Sequence, residues 1–549
     1  MTSKKLVIAA ALLHSISAAK STLRVKNKDD SELISRELQE IVKINPLNDH
    51  GTWEGWGLSL AWLANLFGED EKLADMFFTI EESVKLAEGL DSFPALGLNI
   101  ARYNAGGTCG GQRDDLDIFQ GVSTVACQYD GVKSKWSGTT DYRRIQTFWM
   151  NWGSKDPTNT TSWRWNVDLN QRQMLLNAKA LNPDMIFELF SNSPPWWMLK
   201  NKDTPGNGGN NLQEWSERDH AYYLAQVAKY FKDNFGIHWR TVEPFNEPRG
   251  GGPSHCWWNV PKSQEGCCVN LRQQVSVVKK LREELDSAGL PDIDIAASDE
   301  SYIDRAVDTW YWNRNDGKFK DLVHRLNVHG YQGRFSKRQE MSNLAKEDGK
   351  KLWMTEYGDC DHWLSPLSCL GAQANGMLMI EIMNRDFVTL HMTAWLYWQP
   401  MDEAEGWGLI QFPYTSDGEW GQDRNQWKIH NKYYLHAQFS RHIRPGMKIV
   451  HATGSFDDNY IIAAMAEGRL VVVFTRFEGP EHMVLNLDDF TKGLGYHITS
   501  WLTEGTTVEG RKKYEKMAGG ATLNDEMLLD TTLPKWSVKT IEIEWALTV

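Results

Sequence analysis

The chain has 549 residues, of which 41% are hydrophobic and 24% are charged. This length suits one large domain with a smaller one attached and allows a sizeable core. With 72 acidic against 59 basic residues, the formal net charge of −13 argues against nucleic acid or an anionic membrane as the main partner. The balance is typical of a soluble protein that acts on a neutral substrate.

The first residues have the pattern of a secretory signal peptide. Two lysines precede the apolar run 6–13, and Ser-Ala-Ala at 17–19 offers a small-residue cleavage site. The run is too short to span a bilayer. We therefore expect residues 1–19 to be a signal peptide, residues 20–40 to be a linker or pro-segment, and the mature protein to be secreted. The alternative is a disordered start that is hydrophobic by chance.

Short apolar runs alternate with helix-like segments over residues 47–445. The runs are 55–62, 96–104, 185–193, 241–247, 293–301, 326–331, 351–359 and 393–400. Between them, 170–181, 220–235 and 275–289 place apolar residues three and four positions apart, which favours amphipathic helices. Eight strands alternating with helices predict an α/β fold, a (β/α)8 TIM barrel.

The pattern changes near residue 445, where strand-like runs follow one another with turn residues between them and little helix. Residues 446–549 are therefore predicted to form an antiparallel β-sandwich side domain. The strand-like segment 41–46 is expected to join this side domain, so both ends of the chain would contribute to it.

Seven cysteines are present in a chain predicted to be exported. Outside the cell, neighbouring cysteines are plausible disulfide partners, and one thiol must remain. The candidate pairs are Cys109–Cys127, Cys256–Cys267 (or Cys268) and Cys360–Cys369. Because neither CxxC pairs nor HExxH occur, the sequence argues against a zinc site.

Two glutamates are the candidate catalytic pair. Glu247 follows the fourth predicted strand in TVEPFNEP, and Glu356 ends the seventh in KLWMTEYGD. Catalytic groups of such barrels lie at the C-terminal ends of strands, and strands four and seven face each other across the mouth. At about 5–5.5 Å apart, Glu356 as nucleophile and Glu247 as acid/base would cleave a glycosidic bond with retention. The alternative is two surface or salt-bridged carboxylates, since others also lie near strand ends: Glu243, Asp299, Glu300 and Asp359.

The residues around this pair resemble a known family. Asn246-Glu247-Pro248 together with Glu356 resembles the acid/base and nucleophile of clan A glycosidases. The ordered set GTWEGWGLSLAW, LNIARYNAGG, ELFSNSPPWWM, QEGC and FSRHIRPG resembles glycoside hydrolase family 30, and within it the fungal-type endo-β-1,6-galactanase branch. The resemblance runs from about residue 40 to the end. It implies a retaining hydrolase with a barrel and a β side domain that uses no metal or cofactor.

The resemblance also implies roles for side chains near the barrel mouth. Arg102 is expected beneath the nucleophile, where a guanidinium would keep Glu356 ionised. Asn246 is expected to bind the sugar 2-hydroxyl, and Tyr331 to donate to the nucleophile. The other expected substrate contacts are Asn104, His329, Trp196, Trp197 and Trp398. The alternative for these residues is ordinary packing, or a core-edge salt bridge in the case of Arg102.

One position departs from the glucoside- and xylan-cleaving members that the sequence resembles. Those members usually carry a tryptophan immediately before the strand-three Ser/Thr/Asn-Pro element, and here that position is Asn192 in SNSPPWWM. The hypothesis is that Asn192 makes room for, and hydrogen-bonds, the axial 4-hydroxyl of galactose, because a polar contact discriminates better than shape. The alternative is that Asn192 only caps the turn.

The sequence therefore predicts a secreted retaining endo-glycosidase for β-1,6-linked galactan, such as arabinogalactan side chains. We expect a monomer with a polysaccharide partner and without nucleic acid or membrane partners. One rival is a β-1,6-glucanase or another β-glycosidase of the same family. The other is a polysaccharide-binding protein on an inactive barrel, against which the two glutamates argue. The 26 tryptophans fit either sugar stacking or a Trp-rich core.

Overall fold

The structure is a computed structural model, and it describes residues 40–108, 141–204, 209–249, 264–332, 335–358, 376–403, 407–413, 423–453, 459–478, 482–490, 495–505, 511–518, 522–524 and 526–545. The predicted signal peptide, nearly all of the predicted linker, Asp359 and the cysteines other than Cys267 and Cys268 lie outside these residues. Among the helices of the described residues, none is both long enough and apolar enough to cross a membrane.

Eight parallel strands close into a barrel in chain order. After β1 (Glu40–Thr52) they are β2 (Gly55–Ser59), β3 (Ile100–Asn104), β4 (Ile186–Phe190), β5 (Trp239–Glu243), β6 (Asp294–Tyr302), β7 (Val323–Gln332), β8 (Lys351–Glu356) and β9 (Ala394–Tyr397). The pairing of β9 with β2, which places Trp395 opposite Trp56, closes the ring. Each of the eight predicted runs overlaps one of these strands, so the predicted barrel is confirmed.

Helices pack around this barrel. They are α1 (Leu63–Phe67), α2 (Glu71–Phe78), α3 (Leu169–Leu181), α4 (Glu217–Phe235), α5 (Leu271–Ser287), α6 (Ile303–Asn313), α7 (Gly317–Leu322), α8 (Phe335–Glu347), α9 (Met377–Arg385) and α10 (Asn431–Ser440). Their ends follow capping chemistry: α4 stops at Gly236 in the left-handed conformation, and the Asn270 side chain accepts from Gln273 N–H to start α5.

The strand that leads to Glu247 ends earlier than the sequence predicts. β5 stops at Glu243, because Pro244 has no N–H with which to continue the ladder. The chain then turns, and Glu247 adopts a positive φ of 47° while its N–H donates to Asp299 O at 2.8 Å. Glu247 therefore lies on a short turn that is fastened to β6, not on the end of its own strand.

A second, mostly antiparallel sheet lies beside the barrel. Three short strands precede most of its strands in the sequence and form a small sheet of their own: β10 (Met401–Asp402), β11 (Ile410–Gln411) and β12 (Lys428–Ile429). The large sheet then contains β13 (Lys448–Ala452), β14 (Asn459–Ala466), β15 (Arg469–Arg476), β16 (His482–Asn486), β17 (Tyr496–Glu504), β18 (Glu515–Met517), β19 (Thr522–Leu523), β20 (Leu528–Thr532) and β21 (Ser537–Trp545). Strand β1 joins its two halves, pairing antiparallel with β13 and parallel with β16. The two halves enclose a core that includes Val42, Leu485 and Ile541.

The barrel and the β domain share buried polar contacts at α10. Every residue of α10 is buried. Gln438 Nε2 donates to Thr503 Oγ1 at 2.8 Å, and Thr540 Oγ1 donates to Gln438 Oε1 at 2.6 Å. Because an unpaired buried amide is costly, these contacts tie the two units together.

The adjacent residues Cys267 and Cys268 differ in their chemical state. Cys268 is disulfide-bonded, whereas Cys267 is a buried free thiol. Burial raises the pKa of the Cys267 thiol to about 12, so it is protonated near neutral pH. Of the two partners that the sequence left open, Cys268 is therefore the one that forms a disulfide.

Candidate active site

The two predicted catalytic glutamates meet at the mouth of the barrel. One carboxylate oxygen of Glu247 and one of Glu356 lie within 4.8 Å of each other, and a nitrogen of His329 lies within the same distance of both. Glu247 is 3% exposed and Glu356 is 2% exposed. Carboxyl groups about 5–5.5 Å apart are typical of retaining glycosidases, whereas inverting enzymes separate them by about 6.5–9.5 Å.

Arg102 on β3 lies directly against Glu356. Its Nη1 donates to Glu356 Oε1 at 2.9 Å, its Nε donates to Glu188 Oε1 at 2.7 Å, and its Nη2 donates to Asp299. Burial alone would lower the pKa of Arg102, but the charges of Asp299 and Glu356 outweigh it and raise that pKa. Because Arg102 is fully buried and its guanidinium binds three carboxylates, it supports Glu356 and is not placed to contact a substrate.

His329 on β7 lies between the two glutamates. Its Nδ1 is 3.1 Å from Glu247 Oε1 and 3.4 Å from Glu356 Oε2, and its Nε2 is 3.0 Å from Asp299 Oδ1. Burial lowers the pKa of His329, but Glu356 and Asp299 reverse this effect and raise it to about 10. A cationic imidazolium therefore stands between Glu247 and Glu356 at neutral pH, again as a neighbour of the pair rather than an exposed sugar contact.

Glu356 is less acidic than the sequence suggests. Burial, together with the charges of Asp299 and Glu247, raises the pKa of Glu356 to about 7, against the opposing effect of His329 and Arg102. Tyr331 Oη donates to Glu356 Oε2 at 3.2 Å, as predicted, and this bond favours the ionised form. Arg102 and His329 thus only partly offset the effect of burial on the pKa of Glu356.

Sequence reasoning missed the buried acid Glu188 in the middle of β4. Glu188 accepts from Thr241 Oγ1 at 2.7 Å and from Asn327 Nδ2 at 3.1 Å, in addition to Arg102 and Arg325. A charged residue inside the apolar run IFELF was the available signal, because an acid in a barrel strand must find partners.

Asp299, by contrast, was recognised only as a strand-end acid. Burial raises the pKa of Asp299, but Arg102 and His329 outweigh it and hold it near 2. Thr355 Oγ1 also donates to Asp299 Oδ1 at 2.6 Å. A permanently ionised Asp299 thus keeps both cations in place beneath the two glutamates.

Some residues of the sequence motifs quoted above carry a buried polar atom that has no hydrogen-bond partner among the described residues. Four of these atoms are Asn192 Oδ1, Asn246 Oδ1, Trp196 Nε1 and Trp62 Nε1. Buried polar atoms of native proteins nearly always have a hydrogen-bond partner. These four atoms are therefore candidates to hydrogen-bond a bound ligand. Three of these residues were predicted from the sequence. Trp62 is the last residue of the quoted motif GTWEGWGLSLAW, but no role was predicted for it.

Three other predicted contacts are held by packing. Asn104 is fully buried, with Nδ2 donating to Glu265 and Oδ1 accepting from Asn192 N–H. Trp197 Nε1 donates to Trp149 O at 2.9 Å. Trp398 is 6% exposed, and its ring packs edge-to-face on Trp62 with centroids 5.1 Å apart. Their amide and indole groups define the walls of the site from behind.

Comparison with known proteins shows the family to which the chain belongs. The model of glycosyl hydrolase family 59 matches residues 152–405, which include both glutamates. The chain is also 39% identical over 433 residues to an endo-β-1,6-galactanase from Hypocrea rufa, covering 79% of this chain and 80% of that protein. The chain belongs to the glycoside hydrolase family of this endo-β-1,6-galactanase.

Two further proteins are similar to this chain at lower sequence identity. An exo-β-1,6-galactobiohydrolase from Bifidobacterium longum subsp. longum is 24% identical over 541 residues, and the match covers 80% of this chain but only 34% of that longer protein. A glycoside hydrolase family 30 subfamily 8 xylanase from Clostridium acetobutylicum superimposes with a TM-score of 0.63 at 19% identity, covering 92% of this chain and 99% of the xylanase. At that identity the likeness shows a shared fold alone.

Proposed function

We propose that this glycoside hydrolase cleaves β-1,6-linked galactan, such as arabinogalactan side chains, by an endo-acting retaining mechanism. The substrate class rests on the 39% identity to the Hypocrea rufa endo-β-1,6-galactanase over most of both chains. The mechanism rests on one geometric observation, the approach of Glu247 and Glu356 to within 4.8 Å.

In this mechanism Glu356 is the nucleophile. Its ionised carboxylate attacks the anomeric carbon to form a glycosyl-enzyme, while Glu247 protonates the departing oxygen. Glu247 then takes a proton from water as that water displaces the sugar. Arg102 and Tyr331 each hold one oxygen of Glu356, at 2.9 Å and 3.2 Å, so the nucleophile is already aligned before substrate binds.

His329 supports both steps of the mechanism. A cation 3.1 Å from Glu247 Oε1 and 3.4 Å from Glu356 Oε2 stabilises the carboxylate that each step produces. This charge partly offsets the cost of holding two acids in a buried site.

The galactose preference is assigned to Asn192. Asn192 is 3% exposed, and its Oδ1 has no partner among the described residues, so it can accept from a sugar hydroxyl. In the same way, Asn246 Oδ1 is assigned to the 2-hydroxyl of the sugar. A site built around an amide rejects a sugar that leaves that amide unpaired.

We place the chain in glycoside hydrolase family 30 rather than family 59. The support is the fold shared with the family 30 xylanase over 92% of this chain, including a β domain that contains both β1 and the C-terminal strands. The family 59 model, by comparison, matches residues 152–405 alone. The export signal at 1–19 completes the proposal, and sequencing the N-terminus of protein recovered from culture medium tests it.

Product analysis tests the function directly. The enzyme is incubated with de-arabinosylated β-1,6-galactan and with β-1,6-glucan, with Glu356→Gln as the inactive control. A ladder of galacto-oligosaccharides that is lost in the variant is expected. Galactobiose as the sole early product would indicate exo action instead, and cleavage of glucan but not galactan would replace the substrate while retaining the mechanism.

A further inference from the structure

Glu265 is a buried acid to which the mechanism assigns no role. It lies between β5 and α5 in the sequence and is 1% exposed. Its Oε2 accepts from Asn104 Nδ2 at 2.9 Å, and its Oε1 accepts from Thr108 Oγ1 at 2.6 Å and from Gly107 N–H at 3.2 Å. Three donors therefore converge on one carboxylate, and they come from the last residue of β3 and the loop that follows it.

That loop in turn holds the loop after β4. Asn104 Oδ1 accepts from Asn192 N–H at 3.0 Å, and Gly107 O accepts from Trp196 N–H at 2.9 Å. The two loops touch so closely at Gly107 that an added Cβ would lie 2.4 Å from Pro194 O. Glu265 thus lies at the start of a series of contacts that ends at Asn192 and Trp196.

The two residues at the far end of this series of contacts each carry a buried polar atom without a hydrogen-bond partner. Asn192 Oδ1 and Trp196 Nε1 are buried and unpartnered among the described residues. Their positions depend on backbone N–H groups that the loop after β3 holds. A small shift of that loop would move both side chains, and misplacement of a binding group by about 1 Å can cost about a hundredfold in rate.

We propose that Glu265 is a positioning residue that sets the specificity of the site. Through Asn104 it orients Asn192, and through Gly107 it orients Trp196, without contacting the sugar. The proposal rests on the proposed function, because Asn192 is the residue assigned to the galactose 4-hydroxyl.

The geometry requires a carboxylate at this position rather than an amide. Burial raises the pKa of Glu265 to about 7, against the opposing effect of its three donors. The ionised acid accepts on both oxygens, whereas glutamine turns one of them into a donor. If that donor faces Asn104, the Asn104 amide must rotate and its NH2 then opposes Asn192 N–H. If it faces Gly107, two N–H groups oppose each other. Either way, one link between Glu265 and the binding residues breaks.

The same reasoning predicts a rescue. In the double variant Glu265→Gln with Asn104→Asp, the glutamine NH2 donates to one oxygen of the new aspartate, and the other oxygen accepts from Asn192 N–H. The glutamine oxygen still accepts from Thr108 and Gly107. All donors again have acceptors, and the buried charge has moved from one partner to the other.

The experiment is a double-mutant cycle. Kinetic constants of the full-length wild type, Glu265→Gln, Asn104→Asp and the double variant are measured on de-arabinosylated β-1,6-galactan and on β-1,6-glucan, with melting temperatures in parallel. Each single variant is expected to lose about tenfold to a hundredfold in kcat/KM on galactan and to lose galactan preference. The double variant is expected to recover most of both. Glu283→Gln, on the exposed surface, is the matched control and should remain unchanged.

Two results would overturn the proposal. One is a double variant that is no better than Glu265→Gln at a similar melting temperature. The other is a Glu265→Gln enzyme with wild-type kcat/KM and preference, whose lowered melting temperature alone would mark a purely structural role. If Glu265→Gln does not fold, Asn104→Ala breaks the same link, and unaltered constants in that variant also refute the proposal. A wild type that cleaves only glucan defeats the proposed substrate instead, and the cycle is then judged on glucan.

Discussion

Arg102 Nη1 donates to Glu356 Oε1 at 2.9 Å, with both side chains withdrawn from solvent beneath the barrel mouth. The same guanidinium also binds Glu188 and Asp299. One planar cation therefore orients the candidate nucleophile and shares its charge with two further buried acids, which Arg325 and His329 also contact. This sharing explains why a single strand residue connects the activity of the enzyme with the stability of its barrel.

Replacing Arg102 with lysine should damage both properties. Lysine keeps the charge but lacks the planar fork that reaches three carboxylates, so at least one buried acid loses its partner. We expect the free energy of unfolding in urea to fall by about 3–5 kcal/mol and kcat to fall sharply. Arg218→Lys is the control, because Arg218 pairs with Glu283 and Glu284 on the exposed surface and such pairs contribute at most about 1 kcal/mol. Wild-type kcat in Arg102→Lys would contradict the assigned role.

Removing the acid/base should leave a recoverable enzyme. Glu247→Ala is expected to lower galactan hydrolysis by about 100-fold to 10,000-fold, because neither protonation of the leaving oxygen nor activation of water remains. With an activated aryl galactoside and sodium azide, the small anion enters the empty space and should yield β-galactosyl azide. NMR of the product is decisive: the α anomer would exclude a double displacement by Glu356.

The acid limb of the pH profile should report Glu356. The active form is the ionised carboxylate, so kcat/KM is expected to rise with pH through about 7. Tyr331→Phe removes a donor to the ionised form, which raises the pKa of Glu356 and moves this limb to higher pH. Tyr222→Phe, whose hydroxyl donates to Lys155 O, is the matched control. An unmoved limb in Tyr331→Phe would mean that another group sets it.

The stabilising contribution of His329 should be lost in alkali. Its pKa is raised to about 10 in the folded state, against about 6.5 when unfolded. Its contribution is therefore fully present below pH 6.5 and is lost as pH rises through 10. The difference in unfolding free energy between wild type and His329→Gln should shrink over that range. A difference that stays constant from pH 6 to pH 10 would show that His329 is neutral in the folded protein.

Asn192→Trp should affect the two sugars unequally. The indole would fill space beside the axial 4-hydroxyl and remove its acceptor, so cleavage of galactosides should fall about tenfold or more relative to that of glucosides. Asn192→Ala separates the two causes, since it removes the acceptor without adding bulk. Activity is measured on paired aryl galactosides and glucosides, and equal losses on both would remove the hypothesis.

The eight barrel strands and three of the longer helices could be recognised from local patterns, because a buried parallel strand is a short apolar run and a packed helix repeats at 3.6 residues. The end of β5 was placed too late, although Pro244 was visible, because the run continues through Phe245. Glu188 and Glu265 escaped notice for a different reason: neither lies at a strand end, and their partners are distant in sequence, such as Arg325 for Glu188 and Asn104 for Glu265.

The order of strands, the nature of the catalytic pair and its place at the barrel mouth were all contained in the sequence, since they depend on residue type and on the alternation of elements. The position and the ionisation of each side chain in the site were decided by the tertiary structure alone. Only folding places His329 between Glu247 and Glu356, and only in the fold do burial and the charges of Asp299 and Glu247 raise the pKa of Glu356 to about 7. Electrostatic energies depend on distance and on exclusion of water, and neither quantity exists until the distant segments meet.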